Sequence, residues 1–452
     1  MAASETIVAQ VTPPGFSGVA VLRVSGPLVA HIAEQILGYL PPPRQADYTA
    51  FKAIDKQTID LGIALYFKKP HSFTGEDVLE LQGHGGPVVI DELLQHALQC
   101  GARLAKPGEF SEQAFLNDKL DLAQAEAIAD LINSASSAAA RCAIRSLQGQ
   151  FSEKIHALVQ QLIHLRTFVE AAIDFPEEDI DFLEKGHIGQ HIQNLQQQLN
   201  SIMQTARQGQ ILQEGMRVVI VGEPNVGKSS LLNALSGREV AIVTDIPGTT
   251  RDVLQQHILI DGMPVHIIDT AGLRQSSDTV ELEGMRRAKQ YIQQADHLLL
   301  MTDERSLKEW HLADVWPSHL ADMPQHIPMT IVHNKIDLYQ QPAQLISAQQ
   351  THVFISAKTE EGINLLRQHL KHCIGLETHT EGQFLARRRH LTALQHALTA
   401  LQKADEQLRI YRALELVAEE LRLAQQALAS ITGEFSSDDL LGEIFSSFCI
   451  GK

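Results

Sequence analysis

The sequence predicts a multidomain protein: an N-terminal α+β domain, an all-α helical domain, and a P-loop α/β domain inserted into the helical one. Three observations predict this. The stretch GEPNVGKS, Gly222 to Ser229, follows the apolar run Val218 to Val221 and precedes Ser230 to Leu235, which reads as strand, phosphate loop and helix. Ala, Leu, Ile, Gln and Glu recur at helical spacing on both sides of the segment that this loop opens. Ahead of Asp118, short apolar runs broken by Pro/Gly turns such as TPPG read as strands.

At 452 residues the chain exceeds what a single core usually serves. An apolar fraction of 44% argues against disorder, and a formal charge of −17 against non-specific coating of nucleic acid, so any RNA site is local. The four cysteines are far apart with no C-x-x-C pair, which fits a reducing compartment, and the cytoplasm is the expected location. No apolar run reaches the roughly 18 to 20 residues of a membrane span, and no membrane association is expected.

Along the chain, residues 1–118 form the α+β part, with strands expected at Ile7–Gln10, Val19–Val24, Ile63–Phe67 and Val78–Leu81. The glycines of ELQGHGGPVV end the last of these, and Pro87 begins a helix; a strand-to-helix turn explains them better than an anion site. Residues 119–211 are read as packed helices, interrupted at Pro176 in DFPEED and resumed over Ile188–Ala206. Residues 212–376 alternate strands and helices, with strands at HILI, PVHIID, HLLLMTD, MTIVHN and HVFIS. Residues 377–452 return to helices and end in CIGK.

The phosphate loop places Gly222, Asn225, Val226, Gly227, Lys228, Ser229 and Ser230 around a nucleotide. Glycines let backbone amides turn inward, Lys228 meets the outer phosphates and Ser229 a magnesium ion. Four pieces then follow in the order of a guanine-nucleotide switch. TDIPGTTRD offers Thr249 and Thr250, of which Thr250 is the second expected magnesium ligand. DTAG offers Asp269 for water-mediated magnesium binding and the Gly272 amide for the third phosphate. In NKID, Asp337 accepts from the guanine N1 and exocyclic amine, Lys335 covers the ring, and Asn334 ties this loop to the phosphate loop; adenine would leave the carboxylate unpaired. SAK, Ser356 to Lys358, brings the Ala357 amide to the guanine oxygen. These are guanine-nucleotide contacts, with GTP as the expected substrate.

Leu273 stands after DTAG, where many small GTPases carry the glutamine that orients water. Either turnover depends on a partner, or Glu281 or Glu283 of SDTVELEG takes the glutamine's place, a solvated helix start being the alternative for both; Arg251 and Arg274 are open as arginine fingers or structural residues. His369, His372 and Cys373 read as a helix face, because a zinc site normally needs four ligands.

TPPG, SFTGEDVLELQGHGG, PGEFSEQAFLNDKLDLAQAEAIADLI, GTTRD, DTAGLR and the terminal FCIGK together resemble the MnmE (TrmE) family, the bacterial tRNA-modifying GTPases, over the whole chain. The resemblance implies a folate-binding, dimerising N-terminal domain in a homodimer, with 5-formyltetrahydrofolate or a related reduced folate at Arg23, Glu80, Lys119 and Lys452. It implies potassium activation, with Asn225 as side-chain ligand and Thr244, Ile246 and Thr249 as backbone ligands, and it favours Glu281 as the water-orienting catalyst. It singles out Cys449 as functionally important. It also implies work with the flavoprotein MnmG on tRNA, adding a carboxymethylaminomethyl or aminomethyl group to C5 of the wobble uridine. The competing reading is a regulatory or ribosome-assembly GTPase whose flanking domains only bind partners.

Overall fold

The computed structural model describes residues 5–134, 136–174, 188–236, 255–260, 263–269, 291–303, 316, 327–347, 350–373, 384–434, 438–446, 448 and 451. Two compact units emerge: residues 1–132, 146–199 and 392–452 form one, and residues 133–145 and 200–391 form the other.

The chain opens with β1 (Ile7–Gln10) and β2 (Ser17–Ser25), then α1 (Val29–Leu37), β3 (Asp47–Lys52), β4 (Thr58–Phe67), β5 (Val78–Gly85), α2 (Pro87–Gln99) and the short β6 (Arg103–Leu104). The sheet order is β3-β4-β5-β2-β1-β6, antiparallel except where β1 meets β6. Because strand side chains alternate, Val8, Leu22, Val24, Leu79 and Leu81 turn toward one face and form a core with Ile32, Ile36 and Leu93 of α1 and α2. Full burial of each such side chain stabilises by about 1.5–3 kcal/mol. Ile7 and Ala9 point the other way and pack with Phe110. The glycine run of ELQGHGG is a strand-to-helix turn: Gly86 is extended, and Pro87 occupies the first helical turn, where its missing N–H costs nothing.

Helices α3 (Glu109–Leu116), α4 (Leu122–Ile132), α5 (Ser137–Leu147), α6 (Gln150–Asp174) and α7 (Ile188–Glu214) follow. The last of these runs beyond Ala206, where sequence periodicity placed its end.

In the second unit β7 (Met216–Gly222) leads through the phosphate loop into α8 (Lys228–Ser236). Then come β8 (Gln255–Ile260), β9 (Met263–Asp269), β10 (His297–Thr302), β11 (Met329–His333), a 3-10 turn at Ile336–Leu338, β12 (Gln344–Ser347), β13 (Thr351–Phe354) and α9 (Ile363–Cys373). Among the described residues the sheet order is β12-β13-β11-β10-β7-β9-β8, with antiparallel pairs only at its two edges. Its interior strands are apolar on both faces, as parallel strands covered on both sides must be. Val218 and Ile220 pack with Leu231 and Leu366, whereas Val219 and Val221 pack with Ile292 and Ile331.

The chain then returns to helices α10 (Arg388–Glu406), α11 (Leu414–Thr432) and α12 (Asp438–Ser446). Helix α11 lies along α6, burying Val417, Leu421 and Leu428 of one and Leu158, Leu162 and Val169 of the other. Arg166 Nη1 donates to Gln425 Oε1 at 2.6 Å across that seam. The α/β segment is thus inserted within a helical domain that follows an α+β domain. No described helix is long and apolar enough to cross a membrane.

Candidate functional site

The guanine-nucleotide motifs gather where strands β7, β11 and β13 reach their carboxyl ends, the usual ligand edge of an open parallel sheet. Gly222 closes β7, Asn334 follows β11 directly, and Ser356 lies just beyond β13. Asp269 closes β9 on the same edge.

The phosphate loop has the backbone a phosphate cradle requires. Asn225 has φ +64° and Gly227 φ +103°, left-handed conformations that turn successive amides inward. Glycine is required at 227 because a Cβ would sit 2.3 Å from Asn334 Nδ2. Lys228, only 6% exposed, donates from Nζ to Gly222 O at 2.8 Å and Glu223 O at 2.9 Å. Its ammonium is therefore held across the loop at the start of α8, whose N-terminal dipole end favours anions. Ser229 and Ser230 are exposed on the first turn, and Val226 is buried. This arrangement fits a phosphate chain.

Three loops are bolted together around the residues expected to read the base. Asn334 Nδ2 donates to Val226 O at 2.8 Å, while Asn334 Oδ1 accepts from Ala357 N at 2.9 Å. One buried side chain thus links the phosphate, NKID and SAK loops. Ala357 N, read from sequence as facing the guanine oxygen, has Asn334 as its partner here. Ser356 Oγ donates to Asp337 Oδ1 at 2.6 Å. Lys335, at φ +69°, extends to Asp303 Oδ2 at 3.0 Å, and Lys358 is exposed.

Thr244, Ile246, Thr249, Thr250, Gly272, Glu281, Cys449 and Lys452 lie outside the described residues, as do Arg251, Arg274, Glu283 and the Pro176 turn. Asp269 is described as the last residue of a strand, without its side chain.

A second cluster occupies the sheet face opposite α1 and α2. Arg23 and Glu80 are register partners on β2 and β5, and Arg23 Nη2 lies 2.8 Å from Glu80 Oε1. The guanidinium also lies over the rings of Phe73 and Phe110, at 5.4 and 5.6 Å from their centroids. These rings confine a planar cation beside a carboxylate, a surface suited to a flat, polar heterocycle. Lys119 reaches the same loop: a Cβ on Gly75 would meet Lys119 Cε at 3.4 Å and Asn117 Cβ at 2.9 Å. Asn117 Nδ2 donates to Thr74 O at 2.8 Å, fixing the segment. Lys119 also lines a cavity of about 420 Å³ with Asp121, His156 and Glu434. Gly451 packs against the end of β1, where its Cβ would lie 2.7 Å from Gln10 O. Sequence reading did not identify Phe73, Phe110 or Gly75 as neighbours of Arg23 and Lys119. Spacing carries no sign of a ring stacking from another segment.

Comparison with known proteins agrees with this layout. The family described as "GTP-binding protein TrmE N-terminus" matches residues 6–119, and "MnmE helical domain" matches residues 122–449. The chain is similar to the "tRNA modification GTPase MnmE" of Pasteurella multocida (strain Pm70), 60% identical over 450 residues, covering 99% of this chain and 100% of that one. It is also similar to the protein of the same description from Proteus mirabilis (strain HI4320), 59% identical over 454 residues and 100% of both chains. With a P-loop α/β domain set inside the matched helical domain and full-length identity at this level, the chain belongs to the MnmE family of tRNA modification GTPases.

Proposed function

We propose that this protein hydrolyses GTP and uses the resulting conformational cycle in tRNA modification in the cytoplasm. In this reading it acts as a homodimer with the flavoprotein MnmG. Together they place a carboxymethylaminomethyl or aminomethyl group on C5 of the wobble uridine, with a reduced folate supplying the one-carbon unit. The observation that carries the GTPase reading is the Asn334 bridge from Val226 O to Ala357 N beside the Ser356-held Asp337. It joins the phosphate cradle to a carboxylate suited to guanine.

Magnesium would be held by Ser229 and Thr250, with Asp269 acting through water, and it neutralises phosphate charge when bound. Potassium would be held by the Asn225 side chain with backbone oxygens of Thr244, Ile246 and Thr249. Glu281 would orient the attacking water in place of the glutamine that Leu273 replaces. Arg23, Glu80, Lys119 and Lys452 would bind the folate, and Cys449 would be functionally important. Supporting the folate assignment, Arg23 pairs with Glu80 and lies over the rings of Phe73 and Phe110, and residue 451 packs at the neighbouring strand end.

Mass analysis of tRNA nucleosides from a strain lacking the gene tests the modification reading. Loss of the wobble modification, restored by the intact gene, is expected; unchanged wobble uridines overturn it. GTP turnover in potassium against sodium tests the cation cage. Faster turnover in potassium is expected, with the stimulation lost in Asn225→Gly while GDP binding persists. Glu281→Gln slows hydrolysis at preserved GTP affinity.

A further inference from the structure

Strand β10 carries a second polar group at the end remote from the phosphate loop. His297 pairs with Val218 at the start of the β7–β10 ladder and Met301 with Gly222 at its end, so the two ends lie about 13 Å apart along the strand. By strand alternation His297 shares a face with Leu299 and Met301, and Thr330 shares one with Val332. Helix α9 packs on that face through Ile363, Leu366 and Leu370. Its last turn brings His369 and Cys373, spaced i and i+4, onto one side.

Ligand atoms of His297, His369 and Cys373 all lie within 4.8 Å of one another. Thr330 Oγ1 stands between the two rings, 2.8 Å from His297 Nε2 and 2.7 Å from His369 Nε2. Cys373 Sγ lies 3.4 Å from His369 Nε2 and 4.0 Å from its Nδ1, beside the ring rather than on the lone-pair axis. Cys373 is a free, exposed thiol. His297 is 2% exposed, and its Nδ1 has no hydrogen-bond partner.

A buried His–Thr–His chain accounts for the two hydrogen bonds. It leaves the buried Nδ1 of His297 without a partner, while the helical spacing of His369 and Cys373 sets a thiol beside the second ring. Two imidazoles and a thiol, with no carboxylate among them, form a borderline-soft donor set suited to Zn2+ rather than Mg2+ or Ca2+. Burial holds the His297 imidazole pKa down at about 4, so the ring stays neutral and able to ligate near pH 7. We propose that His297, His369 and Cys373 bind Zn2+, with the Thr330 hydroxyl or a water as fourth ligand, and that the ion clamps the last turn of α9 to strand β10. The thiol gives up its proton as the Zn–S bond forms.

The test uses the full chain, stripped with chelator and held in excess Mg2+, with Co2+ as the probe. One Co2+ per chain with a thiolate-to-cobalt charge-transfer band is expected, and added Zn2+ should discharge it. The band should vanish in Cys373→Ser and persist in Cys100→Ser and Cys142→Ser. In His297→Gln, Co2+ affinity should fall by at least about tenfold. GDP binding by each variant checks that its nucleotide domain is folded. Absence of the band, or its survival in Cys373→Ser, overturns the proposal. Alkylation of the unsubstituted protein needs no variant: Zn2+ should protect Cys373 and not Cys100, and equal alkylation of Cys373 with Zn2+ or chelator overturns the site.

Discussion

Ser356 Oγ donates to Asp337 Oδ1 at 2.6 Å, so the carboxylate proposed to read the base is held by the loop that follows β13. Removing the donor in Ser356→Ala frees that carboxylate to rotate. GDP affinity should fall by about tenfold, the loss of one hydrogen bond to a charged group. Asp337→Asn is more severe, because its amide presents a donor to the guanine N1–H and amine. GDP affinity should drop by about 100-fold or more, while xanthosine diphosphate, which carries an oxygen in place of the amine, should bind better than GDP. Titration with fluorescent analogues of both nucleotides checks this.

Gly227→Ala should uncouple the phosphate loop from the NKID loop. The new Cβ would lie 2.3 Å from Asn334 Nδ2, and the φ of +103° is unfavourable for alanine. The Asn334 bond to Val226 O should break, and both GTP and GDP binding should fall together. Calorimetric titration that finds parental affinity would remove Asn334 from its bridging role.

Arg23→Ala should abolish reduced-folate binding while leaving GDP affinity unchanged. Arg23→Lys should recover little, because a point charge does not reproduce the planar contact with Phe73 and Phe110 or the geometry opposite Glu80. Equilibrium dialysis with 5-formyltetrahydrofolate distinguishes these outcomes. Full folate binding by Arg23→Ala would move the site elsewhere.

Acid should weaken the nucleotide domain. Burial lowers the His297 pKa from 6.5 to about 4, with the nearby His369 adding to the effect. The unfolded chain therefore takes up a proton at a higher pH than the folded one. The stability contribution is whole above about pH 6.5 and is lost as pH falls toward 4, amounting to about 2 kcal/mol at pH 5. Urea unfolding at pH 7 and pH 5, in chelator, should show this loss in the parent and a smaller one in His297→Phe.

Legibility in the sequence divided along physical lines. The phosphate loop, NKID and SAK were readable because each motif encodes backbone geometry or a hydrogen-bond pattern within a few residues. The interior strands were readable because they are continuous apolar runs. Strands β3 and β12 were not, since DYTAFK and QLIS lie at sheet edges and are mostly exposed or half-exposed, leaving no clear alternation. The pairing of Arg23 with Glu80 depends on the register between β2 and β5, which composition does not carry; only family resemblance named both residues. Likewise, helical spacing put His369 and Cys373 on one face, but their partner His297 comes from a strand far upstream.

Gly451 leaning on Gln10 and Val11 has a consequence for how the protein is made. Synthesis runs from the amino end, so the six-stranded sheet can assemble while most of the polypeptide is still unmade. Residue 451 joins the end of β1 from far down the chain, after the nucleotide domain has been made. A chain interrupted between the nucleotide domain and residue 451 would carry a complete phosphate loop and lack this contact at the end of β1.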